Sequence, residues 1–359
     1  MNILFVSHLS NNIAAGLNWS VPASVNAQSK IDSVLWIDIN DAFLSHWAEV
    51  EAYHNVREYG KLKLRNLPSP FNNPDLVVFE GFYEPRECFF ALSLRNKKIP
   101  YIIVPRGSLT HQAMNNRSKW KKKIAHWILF NSFVHHAAAI QYLTEAEYCD
   151  SGNKWNLHHI IVPNGFDIPK EQKTEFSCGI KAIFIGRLDL YHKGLDLLLK
   201  IMADRHKMLM NAHFSLTLYG PQKYDYCEIQ KFIKKHDISD IVHLGGEIFG
   251  EKKQKAILDA DIMIMPSRFE GLPMGLLETM AYGLPCLVSQ GTNLADVVAE
   301  YNAGWCCDNS LESLDMHLLQ MLNEKELLIV KGSNAKKLAA NYSWHKIARQ
   351  FHNNVTNYL

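Results

Sequence analysis

The stretch Ser267-Arg-Phe-Glu-Gly-Leu-Pro-Met-Gly-Leu-Leu-Glu-Thr-Met-Ala-Tyr-Gly-Leu-Pro285 carries the most informative pattern in the chain. Two carboxylates, Glu270 and Glu278, flank a short turn. Pro273 is suited to the first position of a helix, where its missing N–H costs nothing. A helix that begins there would offer phosphate the free backbone N–H groups of its first residues, Met274, Gly275 and Leu276. With a carboxylate on either side for hydroxyl groups, the pattern predicts a nucleotide-sugar site.

Short apolar runs lie on both sides of this stretch and recur along the whole chain, with helical patterns between them. In the first half the predicted strands are Asn2–Val6, Ser33–Ile37, Leu76–Phe79, Tyr101–Val104, Ala139–Leu143 and His159–Val162. In the second half they are Ala182–Ile185, Phe214–Leu218, Ile241–Leu244, Ile262–Met265 and Pro285–Val288. Strands that alternate with helices indicate an α/β protein with parallel sheets.

The number of strands and the length of 359 residues predict two doubly wound, Rossmann-like domains. We expect an N-terminal domain over residues 1–167 and a second domain over residues 168–340, with a polar linker after the boundary. After Trp305 only helical patterns are apparent. The last of them, within residues 341–359, has apolar residues at Ile347, Ala348, Phe351 and Val355, and it could pack back on the first domain.

Composition excludes several classes of protein. The net charge of +2 gives no overall field for nucleic acid, and the scattered cysteines do not form the spacing of a zinc site. No apolar run is long enough for a membrane-spanning helix. We therefore expect a cytoplasmic globular protein with no nucleic-acid partner and no structural zinc site. The sequence also has no G-x-G-x-x-G fingerprint, which predicts that no dinucleotide cofactor is bound.

A second motif, Phe184-Ile-Gly-Arg-Leu-Asp-Leu-Tyr-His-Lys-Gly194, follows a predicted strand. Arg187 and Lys193 lie on the connection to the next helix, at the sheet edge where α/β proteins bind ligands. Two cations there can neutralise a diphosphate, the arginine as a fork of donors and the lysine as a point charge. Alone, both could equally be solvated loop charges.

Other strand ends supply weaker candidates, each of which could equally be an ordinary turn. Gly16 lies in a loop of small residues after the first strand, where a backbone could approach phosphate. Arg106 and His111 follow another strand and could contact a phosphate or a sugar. In the second half, glycine turns could flank a nucleobase, with the candidate residues Gly220, Ile248 and Phe249.

The segment 117–130 is the one dense basic cluster, and tryptophans interleave with its lysines. A basic amphipathic helix of this kind suits an anionic membrane surface or a lipid phosphate. It would place the protein at the inner face of the cell membrane. A solvated helix with its apolar side on the core is the equal alternative.

Together these motifs make the chain similar to the retaining GT-B glycosyltransferases of the large family four type. The resemblance rests on Glu270-x7-Glu278 in its Glu-Gly-Leu-Pro setting, on Gly186-Arg187-Leu188 with Lys193, and on the Pro-Asn-Gly turn at Asn164. The matching motifs occur in the same order along the whole chain, and the resemblance is strongest from about Ile160 to Val288. Many relatives have His-Gly where this chain has Arg106-Gly107, a form that resembles bacterial surface-polysaccharide transferases.

The resemblance implies a GT-B fold, with two domains facing each other across a cleft, and an α-linked, retaining hexosyl transfer from a nucleotide diphosphate sugar, UDP- or GDP-linked. Arg187, Lys193 and Glu270 would be the catalytic residues, and Asn164 would contact the acceptor or a sugar. Gly16 and the segment that begins at Glu270 would bind the donor. The other donor-binding residues of this segment would be Gly271, Leu272, Pro273, Met274, Gly275, Leu276 and Glu278. The acceptor would be a glycan, free or linked to a polyprenyl diphosphate, with no bound metal required.

Two other functions fit the same architecture. A nucleotide-sugar 2-epimerase would change the donor without an acceptor, and a two-lobed sugar-binding protein would close on its ligand without chemistry. The pairing of the Gly-Arg-Leu segment with Glu-x7-Glu argues against the epimerase. Two-lobed binding proteins are usually exported, and the sequence shows no export signal.

Overall fold

The computed structural model describes residues 1–12, 16–110, 130–152 and 155–359. They form two compact units: Met1–Gly165 together with Trp344–Leu359, and Phe166–Ser343. The division falls two residues before the predicted boundary, and the last helix belongs to the first unit. The expected cleft between two domains remains a prediction.

The first unit is built on a seven-stranded sheet in which all neighbouring strands are parallel. Its strands are β1 (Asn2–Ser7), β2 (Ser33–Asp38), β3 (Tyr53–Asn55), β4 (Leu76–Glu80), β5 (Tyr101–Val104), β6 (Ala139–Tyr142) and β7 (His159–Ile161), in the order β3-β2-β1-β4-β5-β6-β7. Its helices are Leu17–Gln28, Pro85–Asn96, Asn131–His135, Glu145–Ser151 and Trp344–Thr356, with short 3-10 helices at Ser45–Glu49, Val56–Tyr59 and Leu64–Asn66.

The continuous apolar runs in this sheet reflect burial on both faces. Because successive side chains point to opposite faces, Leu4 packs in one core layer and Phe5 in the other. The final helix covers the second layer: Phe351 lies 6.2 Å from Phe5 between ring centroids. Its apolar face of Ile347, Ala348, Phe351 and Val355 is buried, as the sequence pattern indicated.

The second unit has a six-stranded parallel sheet. Its strands are β8 (Ile180–Ile185), β9 (Phe214–Tyr219), β10 (Val242–Gly246), β11 (Ile262–Met265), β12 (Cys286–Ser289) and β13 (Gly304–Cys307), in the order β10-β9-β8-β11-β12-β13. Its α-helices are Leu195–Asp204, His206–Asn211, Tyr226–Lys235, Gly250–Asp259, Met274–Ala281, Ala295–Glu300, Leu311–Asn323 and Leu328–Ala339, and its 3-10 helices are Gln290–Thr292, Lys325–Leu327 and Ala340–Tyr342.

Two strands were not predicted. The structure adds β3 at Tyr53–Asn55 and a last strand, β13, at Gly304–Cys307. The expectation that only helices follow Trp305 is therefore wrong, because β13 continues to Cys307. The α/β class with two doubly wound parallel sheets is confirmed. In the described ranges, no helix combines the length and the apolar character needed to cross a bilayer.

Each sheet reverses its strand order once, between β1 and β4 in the first unit and between β8 and β11 in the second. Open α/β sheets bind ligands at this reversal, beyond the carboxyl ends of the strands. The loops that follow β8 and β11 are therefore the first place to look for a site in the second unit.

Candidate functional site

A buried ion pair joins the two loops at the strand-order reversal of the second sheet. Lys193, in the loop after β8, places its Nζ 2.5 Å from Oε1 of Glu270, in the loop after β11, and each side chain is only 10% exposed. Ser267 donates its hydroxyl to the same carboxylate oxygen at 2.6 Å. Two residues predicted to bind ligand are thus held against each other.

Gly194 explains how these two loops come so close. Its backbone is left-handed, with φ of +65°, and a Cβ at this position would lie 1.9 Å from the carbonyl oxygen of Pro266. Any larger residue would push the loops apart. The backbone N–H of Arg268 also donates to the carbonyl of His192 at 2.9 Å, which fixes the two loops on either side of the pair.

The helix after Glu270 begins one residue later than predicted. It spans Met274–Ala281, and Pro273 is its N-cap rather than its first residue. The N–H of Leu276 is not free, because it donates to the carbonyl of Pro273 at 3.0 Å. The N–H groups of Met274 and Gly275 have no partner within the described residues, so two rather than three predicted donors are open at this helix start.

The helix start lies against the end of β8. A Cβ on Gly275 would come within 3.1 Å of the carbonyl oxygen of Ile185, whereas one on Gly271 would meet open space. Leu272 is partly buried against the core. The open N–H groups therefore lie at the carboxyl edge of the sheet, where the partial positive charge of a helix start attracts an anion.

Glu278, on the same helix, forms an ion pair with Lys253 of the helix Gly250–Asp259. Both side chains are partly exposed. Lys253 was not identified from the sequence, because it lies in a helix after another strand and belongs to no motif. Both carboxylates of the Glu-x7-Glu pattern are thus neutralised by a lysine.

Arg187 is exposed and forms no ion pair among the residues that the structure describes. Its guanidinium lies 5.5 Å from the centre of the Tyr224 ring. In the same loop, burial lowers the pKa of His192, and the charges of Lys193 and Arg187 lower it further. The Nδ1 atom of His192 is buried with no partner in the described parts of the chain. The sequence motif contained His192 but gave no sign that its Nδ1 atom would be buried.

The predicted nucleobase residues lie beyond the next strands at the same edge. Gly220 follows β9, and a Cβ there would lie 2.1 Å from the carbonyl oxygen of Gly186, so close packing alone accounts for this glycine. Ile248 is half-buried and Phe249 is 74% exposed in the connection after β10. Their contact with a base remains a prediction.

Arg106, in the first unit, is directed into the protein. Its Nε donates to Glu80 at 2.8 Å and its Nη1 to Asn164 at 2.6 Å, and its side chain is buried. These contacts hold the backbone of Arg106 at φ +48°. Arg106 and Asn164, both predicted to contact acceptor or sugar, are thus brought together, and their binding role stays a prediction.

Gly16 is the N-cap of the helix Leu17–Gln28, with open space around its Cα, and its donor contact also stays a prediction. His111 and residues 117–129 of the basic segment lie outside the described residues.

The first unit also contains a buried carboxylate that the sequence did not indicate. Glu87 is completely buried, and its Oε1 lies 3.0 Å from Nδ1 of His8, which follows β1. Burial raises the pKa of Glu87 to about 7, although the bond and charge of His8 oppose the rise. Its Oε2 has no partner in the described ranges. No metal site accounts for it, since the described residues include no group of three His, Cys, Asp or Glu side chains that could hold a metal ion.

Comparison with known proteins supports a glycosyltransferase. Residues 167–338 match the family described as glycosyl transferases group 1. An uncharacterized glycosyltransferase of Methanocaldococcus jannaschii is 28% identical over 75% of this chain and 72% of its own length. An uncharacterized 41.2 kDa protein in the cps region of Klebsiella pneumoniae is 24% identical over 69% of each chain.

The structure of Anabaena HepE in complex with UDP and glucose is similar in fold. It has a TM-score of 0.70 and 15% identity, and the alignment covers 99% of this chain and 100% of that one. The fold is therefore GT-B, and the matches together support a GT-B glycosyltransferase. They do not favour an epimerase or a non-catalytic binding protein.

Proposed function

We propose that this chain is a retaining hexosyltransferase of the family four type. It would transfer a sugar from a nucleotide diphosphate sugar to a glycan or lipid-linked acceptor in bacterial surface-polysaccharide biosynthesis. The reaction would take place in the cytoplasm, at the inner face of the membrane, without an obligatory metal. The UDP bound to the HepE structure makes UDP-sugars the first donors to test.

The Lys193–Glu270 pair is the observation that carries this proposal. It places a cation and a carboxylate side by side at the ligand-binding edge, beside the open N–H groups of Met274 and Gly275. A nucleotide sugar has the complementary groups, a diphosphate for the cation and sugar hydroxyls for the carboxylate. Glu278 would take the ribose hydroxyls.

The chemistry follows from where charge develops. As the bond between the sugar and phosphate breaks, the sugar gains oxocarbenium character and the diphosphate gains negative charge. Lys193, Arg187 and the helix start would stabilise the departing diphosphate. The acceptor oxygen then bonds to the sugar on the face that the phosphate leaves, which retains the configuration, and its proton passes to the phosphate oxygen.

A binding experiment tests the donor half of the proposal. UDP or GDP at about 100 times its Kd should stabilise the protein by about 2.7 kcal/mol. Lys193→Met should abolish this stabilisation, whereas Lys200→Met, an exposed change on the next helix, should not. If neither nucleotide stabilises the protein, the nucleotide-sugar proposal is wrong.

Product analysis tests the chemistry. With UDP-glucose or a panel of other nucleotide sugars, the chain should release nucleoside diphosphate. The new anomeric centre should have the configuration of the donor by NMR, which is α for UDP-glucose. A product of the opposite configuration would overturn the retaining assignment while leaving the transferase intact.

A further inference from the structure

A cavity of about 760 Å³ lies in the first unit, between the segment 56–65 and the helix Pro85–Asn96. Ile39, one residue beyond β2, and Val56, one residue beyond β3, both line it. The cavity therefore opens at the carboxyl edge of the first sheet, the edge at which α/β proteins bind ligands.

The lining is strongly basic, and the described residues that form it include no acidic one. Five cationic side chains contribute to it: Lys61, Lys63, Arg65, Arg86 and Lys97. Arg86 is engaged, because it donates to Glu84 at 2.8 Å and to the carbonyl of Ile39 at 2.6 Å. The other four have no ion-pair partner within the described residues. In a chain whose net charge is only +2, this is a local excess of positive charge that favours an anion.

The floor of the cavity is apolar. Its apolar residues are Ile39, Val56, Leu62, Leu64, Phe89 and Phe90. Phe89 is 62% exposed and also lines a neighbouring cavity of about 130 Å³, together with the exposed Leu92. Covering an exposed phenyl ring with an apolar chain removes it from water and favours binding.

We propose that this cavity binds the phosphate-bearing end of a single amphipathic lipid. Lys61, Lys63, Arg65 and Lys97 would surround the phosphate, and Phe89 would lie under the first part of the lipid chain. This inference rests on the proposed function, because the bound lipid would be the part of the acceptor that carries the sugar through a phosphate.

The ligand must carry both a negative charge and an apolar part, because the lining has both cations and an apolar floor. A free phosphate would use the cations but leave the apolar floor in water. A neutral lipid would cover the floor but leave four cations without an anion. An anionic amphiphile satisfies both parts of the lining.

Calorimetric titration with monomeric dihexanoylphosphatidic acid tests the proposal. Binding should be saturable and much tighter than that of inorganic phosphate or dihexanoylphosphatidylcholine. Equal affinity for inorganic phosphate would show an anion site only, and equal affinity for phosphatidylcholine would show an apolar groove only; either result overturns the proposal, as does the absence of binding.

Two variants connect the binding to this cavity. Lys61→Ala/Lys63→Ala should weaken phosphatidic acid binding about 30-fold, from about 1 kcal/mol for each basic residue near a lipid phosphate. Phe89→Ala should weaken lipid binding without changing the response to phosphate. The control is Lys234→Ala/Lys235→Ala, which removes the same charge from exposed positions on a helix of the second unit and should bind as the wild type does.

Vesicles separate a single-lipid site from docking on a bilayer. If phosphatidylcholine vesicles containing phosphatidylglycerol bind while the monomeric phosphatidic acid does not, the surface recognises a membrane and the single-lipid proposal is wrong. None of these measurements requires transfer. A chain that binds the lipid but releases no nucleoside diphosphate would therefore contradict only the proposed function.

Discussion

Breaking the pair between Lys193 and Glu270 should lower stability and activity by separable amounts. Lys193→Met leaves the Glu270 carboxylate, 10% exposed, with the Ser267 hydroxyl as its one side-chain partner among the described residues. Removing one member of a buried pair leaves an uncompensated charge, which costs about 3 kcal/mol. The change should reduce the free energy of unfolding of the second unit by about that amount.

The double variant Lys193→Met/Glu270→Gln removes both charges. A glutamine can still accept the Ser267 hydrogen bond, and methionine retains most of the lysine volume. We expect the double variant to unfold within about 1 kcal/mol of the wild type, which is a smaller loss than that of Lys193→Met alone, so the effects of the two changes should not be additive. Transfer should nevertheless remain lost, because the proposed contacts to diphosphate and sugar are both gone.

Urea unfolding followed by circular dichroism, on the wild type, both single variants and the double variant, gives the stabilities. Release of nucleoside diphosphate gives the activities. A loss below 0.5 kcal/mol in Lys193→Met, a threshold at the level of an ordinary surface change, would show that the ion pair is absent in solution. Recovery of activity in the double variant would show that the pair is a structural device and not a ligand-binding one.

Three further results are expected. Glu270→Gln frees Lys193 from its counter-charge, so calorimetry should show UDP binding tighter by about 1 kcal/mol, or about fivefold in Kd. Because the pKa of Glu87 is raised from 4.5 to about 7, the folded state holds the extra proton between these values and stability falls as pH rises through that window. The pKa of His8 is also raised, which acts in the same direction. Glu87→Gln, which never ionises, should therefore exceed the wild-type Tm at pH 8 and match it near pH 4.5, and equal Tm values at pH 8 would contradict the assigned pKa. Phe351→Ala should cost the first unit about 3–5 kcal/mol by hydrogen exchange and leave protection of the second unit unchanged.

Sequence pattern anticipated the interior of both sheets but not all of their edges. Strands buried on both faces must be apolar throughout, so runs such as Tyr101–Val104 and Ile262–Met265 were predicted with the bounds that the structure has. Both missed strands, Tyr53–Asn55 and Gly304–Cys307, lie at sheet edges. They are short and only one is rich in apolar side chains, and pairing with a single inner neighbour holds them in place.

The candidate site was predicted in its residues but not in their contacts. Strand-end position identified Lys193 and Glu270, and the expectation was that both would contact ligand. Their pairing across 77 residues depends on how two loops pack, which Gly194 permits and no local pattern records. Lys253 was missed for the same reason. Motifs locate chemistry at an edge of a sheet, whereas tertiary packing decides which charges are compensated before a ligand arrives.

That compensation has a consequence for selectivity. Glu270 is neutralised by Lys193 and Glu278 by Lys253, so neither carboxylate is an unpaired charge. On the proposed function, donor binding would replace the ion pair with two new contacts. The diphosphate would bind Lys193, and the sugar hydroxyl groups would donate hydrogen bonds to the Glu270 carboxylate. A phosphate without a sugar would pair with Lys193 but leave the Glu270 carboxylate without a partner. A sugar without a phosphate would bind Glu270 but leave Lys193 without a counter-charge. Because an unpaired buried group costs more than a hydrogen bond gains, both partial ligands are disfavoured. On the proposed function, the pair would therefore select a molecule that carries phosphate and sugar together.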